Sequence, residues 1–318
     1  MRISRFSRHA LISSAAAGML AACAPSTMPQ ALALATRADR GKSWMAPEAM
    51  GGKLLYITDG GNSGGGYVSV YSYPHGHLVG TLTGLDNPDG SCVDRLGDVF
   101  ITDVNAGDIV EYTHGGTTPI KTLSDGSSRG PVGCAIDSVT GNLAVANVDG
   151  SVGVYRKARG NPTFYYFTHE GDAYFCGYDD SGNLFVDGLS YHYLNEGFQF
   201  AELPRRKTTF EVITINETVE SPGQVQWDGK YIAVGDAEQR LVYRVDVIGS
   251  SGTVKQTVQL TDGGANAFLI RGRRLIDASY FYGAVEYYRY PAGGSPRRVI
   301  AKGVTFPNSA TVSDKEGS

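Results

Sequence analysis

Acidic and amide side chains recur in one phase of this sequence. Asp59, Asp103, Asn147 and Asp236 each close a short apolar run, while Asp89, Glu170, Asp172, Glu220, Asn266 and Asn308 each stand at the entry to another. Oxygen donors brought to a common point suit a hard cation such as Ca²⁺, and Asp59, Asp103 and Asn308 are the residues to test as its ligands. The same residue types have a plainer use, because an Asp or Asn at a strand end caps its own turn through a side-chain oxygen. His169, beside Glu170 and Asp172, is the histidine best placed to act as a general base. His75, His77 and His114 fall in hairpins expected at the outer surface. The sequence has no G-x-S-x-G elbow, no H-E-x-x-H pair and no G-x-x-x-x-G-K-[ST] loop, so no common catalytic motif organises these groups.

The elements that must position them repeat. In Pro88–Tyr112 a run ends at Asp94, a D-x-x-G turn follows, Val99–Thr102 leads to Asp103, and Ile109–Tyr112 comes after a loop rich in Asn and Gly. This predicts three antiparallel strands joined by tight turns. Aligning the strand after the turn gives Leu54–Asp59, Val99–Asp103, Leu143–Asn147, Leu184–Asp187, Ile232–Asp236 and Leu275–Asp277, six units about 44 residues apart. The expected fold is all-β: a six-bladed β-propeller of four-stranded blades. Its first strands begin at Pro88, Pro131, Ala173, Pro222, Ala265 and Pro307, and outer strands follow hairpins such as Tyr73-Pro74-His75-Gly76 and Tyr290-Pro291-Ala292-Gly293. Pro307–Asp314 and Trp44–Met50 compete to complete the first blade. The C-terminal segment matches the repeat and is expected to close the ring.

Cys92, Cys134 and Cys176 occupy one phase of three successive units, and no close C-x-x-C pair exists. They are expected to be small buried residues without a disulfide. The tyrosines are expected to pack between blades, with those near Tyr191 and Tyr280 exposed as a rim able to bind sugars or peptides. The chain carries a net charge of −4; with three Arg and no acids in residues 1–22, the rest holds 25 basic against 32 acidic residues, or −7. An acidic body argues against nucleic acid as a partner.

Residues 1–22 read as a signal peptide: Arg2, Arg5 and Arg8, then an apolar stretch, then Leu20-Ala21-Ala22-Cys23. That ending resembles the bacterial lipobox, which implies lipidation of Cys23 and a membrane anchor. Ala24 after the cysteine implies, by the same resemblance, the outer membrane facing the periplasm or surface. Residues 23–43 then form a flexible tether of about 60 Å at most, and residues 44–318 the propeller, expected to be a monomer.

The pattern P-x-G-x-x-x-D-x-x-G-x-φ-φ-φ-T-D, clearest over Pro88–Asp103, resembles NHL-repeat propellers and the wider six-bladed TolB-like group. V-Y-S-Y-P-x-G, P-x-G-C-A-I-D and Q-W-D-G-K-Y-I-A-V-G-D resemble uncharacterised bacterial secreted proteins and lipoproteins. More distantly the chain is similar to gluconolactonase-like propellers, through Phe306-Pro307-Asn308-Ser309 followed by Asp314. Ser309 stands where that group has glycine, and its E-G-P-x-W and R-x-N-D-G segments are absent. Two functions follow as expectations. The first is a membrane-anchored module that binds a protein, peptide or glycan at the channel face without catalysis. The alternative, implied by the gluconolactonase-like resemblance, is a lactonase or esterase that depends on a divalent cation such as Ca²⁺. Asp59, Asp89, Asp103, Asn147, His169, Asp236, Asn266 and Asn308 are the channel-mouth candidates for either.

Overall fold

In a computed structural model that describes residues 42–61, 65–126, 128–168, 170–192 and 197–315, the repeat forms six antiparallel sheets. The chain divides into two units, Met1–Asp39 and Arg40–Ser318, and everything that follows concerns the second. The signal segment, Cys23, His169, Tyr193 and most of the tether lie outside the described residues.

The second strands Leu54–Asp59, Val99–Asp103, Leu143–Asn147 and Ile232–Asp236 are buried at every position. A middle strand of a blade has a neighbouring blade on each face, so neither face can be polar surface. Each of the six blade junctions holds one apolar cluster: Tyr56, Val70, Ile101 and Tyr112 meet between blades 1 and 2, and Ile57, Tyr71, Ile276 and Val285 between blades 1 and 6. Burying one such aliphatic side chain contributes about 1.5–3 kcal/mol. The ring is therefore held by six comparable contacts.

The first blade contains both chain ends of the propeller. Pro307–Ser313 pairs antiparallel with Leu54–Asp59 as its innermost strand, as the repeat predicts. Trp44–Met45 does not compete for that place; it pairs with Gly80 and Thr81 at the outer edge of the same blade. Blade 1 thus has five strands. Blade 5 has a fifth as well, Thr214–Ile215, parallel to its outer strand Ser251–Gln259.

Around the axis the innermost strands approach closely. A Cβ on Gly90 would stand 2.3 Å from the Val132 carbonyl oxygen, and one on Gly133 would stand 2.3 Å from that of Tyr174. This crowding explains the glycine of the repeated P-x-G; the proline opens the strand, where its missing N–H is tolerated.

Two expectations are corrected. Cys92 and Cys134 form a disulfide, with Cα atoms 5.8 Å apart and a sequence separation of 42. One repeat of sequence places equivalent positions of adjacent innermost strands face to face, so distant spacing conceals a close pair; Cys176, one blade further, is free and buried. His114 is buried rather than a surface residue. The short turn Pro47–Gly51 folds over its hairpin, and its Nδ1 lies 2.6 Å from Ser313 Oγ. Burial holds its pKa below the usual histidine range. His75 and His77 are exposed, as expected.

Candidate functional site at the channel mouth

The T-D closing the second strand has two jobs. Thr102 Oγ1 accepts the Gly90 N–H at 2.8 Å and lies 3.3 Å from the Val132 carbonyl of the next blade. Thr58 makes the equivalent bond to the Asp89 carbonyl. The aspartate turns the other way and clasps the loop that feeds the innermost strand of its own blade. Asp59 Oδ2 accepts the Thr305 N–H at 2.6 Å, the Phe306 N–H at 3.1 Å and the Tyr67 hydroxyl at 2.8 Å. Asp103 accepts the Asp86 N–H through both oxygens at 3.0 and 2.8 Å, and Asp236 accepts Glu220 and Gln239 N–H groups at 2.9 and 3.1 Å. Asn147 instead donates to Ser151 Oγ at 3.3 Å.

Asp187 and Asp277 occupy the same position in blades 4 and 6 and belong to this set. Burial raises the pKa of Asp187 well above the carboxylate range and that of Asp277 to about 7, since each keeps one oxygen without a hydrogen-bond partner.

The residues that reach the channel come from the starts of the innermost strands. In five blades pairing slips there: Pro88 opposes Asp103 but Ser91 opposes Ile101, and equivalent slips fall at Val132, Tyr174, Gly223 and Asn308. A β-bulge leaves its extra residue out of the ladder and re-aims its side chain. Asp89, Val132, Tyr174 and Asn308, with Asn266 from blade 6, thereby line one recess of about 310 Å³, floored by Phe175, Leu189 and Pro222.

Asp89 is half-buried in the channel wall. Lost solvation pushes its pKa up to about 7, with no opposing partner among the described residues. Asn308 donates to the Pro88 carbonyl at 3.3 Å, and the buried Oδ1 of Asn266 accepts nothing. Tyr174 donates to Asp172 Oδ2 at 2.6 Å, and the exposed Tyr191 donates to the same oxygen. Glu170 and Glu220 sit on exposed loops.

Of the three proposed cation ligands, only Asn308 lines this recess; Asp59 and Asp103 face their own blades' loops. Among the described residues no three His, Cys, Asp or Glu side chains are grouped so as to hold a metal ion. Part of the recess has a signal in the sequence: Asp89, Val132 and Asn308 each follow a strand-opening proline. The bulges that aim those residues inward leave no local mark.

Fold and site together define a six-bladed β-propeller with a polar recess at one channel mouth. No protein-family model and no curated protein matches the sequence. Among solved structures 1391 chains are similar, so the architecture itself singles out no activity. One is a chain of the crystal structure of a nidogen/laminin complex: TM-score 0.63, 13% identity, covering 83% of this chain and 99% of that one.

Proposed function

We propose that the protein is a binding propeller, anchored to a membrane through Cys23, that takes a protein segment, peptide or glycan at the channel mouth. The observation that carries this is the convergence of Asp89, Tyr174, Asn266 and Asn308 from four blades on one recess, in which the buried Asn266 Oδ1 has no hydrogen-bond partner. An unpartnered buried acceptor beside a carboxylate favours a ligand group that presents N–H or O–H donors. Strand direction alternates, so the loops carrying Tyr191 and Tyr280–Tyr282 lie at the same end, where Phe281 is 78% exposed. Rigid exposed aromatics around a polar recess suit a macromolecular ligand. The similar nidogen/laminin chain is a precedent for such a propeller within a protein complex.

The second reading, a Ca²⁺-dependent hydrolase, draws on the oxygens of Asp89, Asn266 and Asn308. The set Asp59, Asp103 and Asn308 does not fit a cation, because Asp59 and Asp103 are bonded to loop N–H groups of their own blades.

One pair of measurements separates the two. Peptide and glycan arrays probed with wild type and with Asp89→Lys should give ligands that the variant loses while its unfolding midpoint is kept. Ligands retained equally by both would place the interface elsewhere. Ca²⁺ at 100 times its dissociation constant would stabilise the native state by about 2.7 kcal/mol. A midpoint raised by Ca²⁺ and restored by chelator would favour the second reading, and lactone and ester substrates would then be tried.

A further inference from the structure

A second recess, of about 820 Å³, lies at the opposite end of the propeller, between blade 6 and the Tyr73–Gly76 hairpin of blade 1. Five arginines line it: Arg273, Arg274, Arg289, Arg297 and Arg298. Three other arginines of this acidic chain meet carboxylates: Arg129 meets Asp149, Arg244 meets Asp228 and Arg271 meets Asp314. None of the five forms an ion pair among the described residues; Arg298 donates to the Pro74 carbonyl at 2.5 Å, and Arg274 to the Tyr73 hydroxyl at 3.4 Å.

The sheet register makes this arrangement costly. Arg274 is directly opposite Arg289 on adjacent strands, and like charges in that position repel. Arg298 is directly opposite Tyr287. The Tyr287 hydroxyl is buried at the wall of the recess and has no hydrogen-bond partner. Burial raises its pKa, so it remains a donor. The five guanidinium groups and the Tyr287 hydroxyl all carry hydrogen-bond donors.

We infer that this recess binds phosphate groups, carried either by a soluble phosphorylated molecule or by anionic phospholipid headgroups. Guanidinium forks match phosphate oxygens two at a time, and the volume falls within the usual range for small-ligand sites. A multiply charged anion would offset the Arg274–Arg289 repulsion and give the Tyr287 hydroxyl an acceptor. The site is separate from the channel mouth and does not depend on the function proposed there.

The test is titration of the purified full-length chain with inorganic pyrophosphate at low salt, together with co-sedimentation on phosphatidylglycerol and phosphatidylcholine vesicles. Wild type should bind pyrophosphate saturably at one site. Arg274→Gln/Arg289→Gln should weaken binding at least about tenfold, and Tyr287→Phe severalfold. The control Arg159→Gln/Arg206→Gln, with the same loss of charge elsewhere, should bind within about twofold of wild type. Pyrophosphate binding without preference for phosphatidylglycerol assigns a soluble ligand. Preference for phosphatidylglycerol that the Arg274/Arg289 variant loses assigns a headgroup. Relief of the repulsion should leave that variant's unfolding midpoint at or above wild type, so lost binding is not lost folding. No binding of either probe, or equal losses in the variant and the control, overturns the proposal.

Discussion

Asp277 accepts the Gly264 N–H at 2.8 Å through Oδ2, while Oδ1 is buried without a partner. A protonated carboxyl is cheaper there than a carboxylate, which is why its pKa rises to about 7. The sign follows by linkage. The folded state holds a proton that the unfolded chain releases near pH 4, so the stability is fully present below that pH. It is lost as pH rises through about 7, at up to about 1.4 kcal/mol per pH unit for one group. Asp277→Asn keeps an acceptor for Gly264 and removes the titration. Denaturant midpoints measured from pH 4 to 8 should therefore fall less steeply for the variant than for wild type, and parallel curves would contradict the assignment. His114 acts in the opposite sense, since its lowered pKa withdraws stability as pH falls below about 6.5. It is common to both proteins and cancels in the comparison.

At the scale of the strand, the innermost ladder is set by backbone crowding and a covalent link. Gly133→Ala would drive a methyl group to 2.3 Å from the Tyr174 carbonyl oxygen, which is backbone and cannot rotate away. The expected loss is about 1–3 kcal/mol, read as a lower urea midpoint with native-like circular dichroism. Replacing both Cys92 and Cys134 by Ser reopens a loop of 42 residues. On the chain-entropy account the loss is about 4 kcal/mol. Wild type in reductant should fall to the level of the double variant, and a midpoint unmoved by reductant would show that the bond does not form in the protein.

At the scale of the whole molecule, one strand closes the ring. Pro307–Ser313 covers the full length of Leu54–Asp59 and brings Asn308 and Ser309 to the axis, where Ser309 Oγ lies 2.8 Å from Thr58 Oγ1 and 2.7 Å from Ser91 Oγ. A chain ending at Phe306 would expose the edge of a fully buried strand, which is a template for aggregation. It should elute as aggregate in size-exclusion chromatography, and a synthetic peptide spanning residues 304–315 should restore a monomer peak. A monomeric, cooperatively melting truncated chain would show that closure is dispensable.

The sequence by itself determined the blade count, the strand order within each blade and the closing strand. Each rests on short-range signals: turn residues at fixed offsets, and apolar runs repeated about every 44 residues. It also brought Asp89, Asn266 and Asn308 forward as candidates for the channel mouth. Tertiary structure decided which way the side chains point. Asp59, Asp103 and Asp236 share the phase of the repeat that leads to the axis, yet they turn to the loop N–H groups of their own blades, where the unpaired backbone donors are. Asp89 and Asn308 turn inward because a bulge takes them out of the ladder, and a bulge depends on pairing with another strand. The Cys92–Cys134 bond and the arginine recess are long-range in the same sense. One joins positions a whole repeat apart, and the other gathers residues 273–274, 289 and 297–298 from one sheet beside a hairpin about 200 residues earlier in the chain. Local chemistry writes the strands and turns, while proximity between blades appears only when the ring is closed.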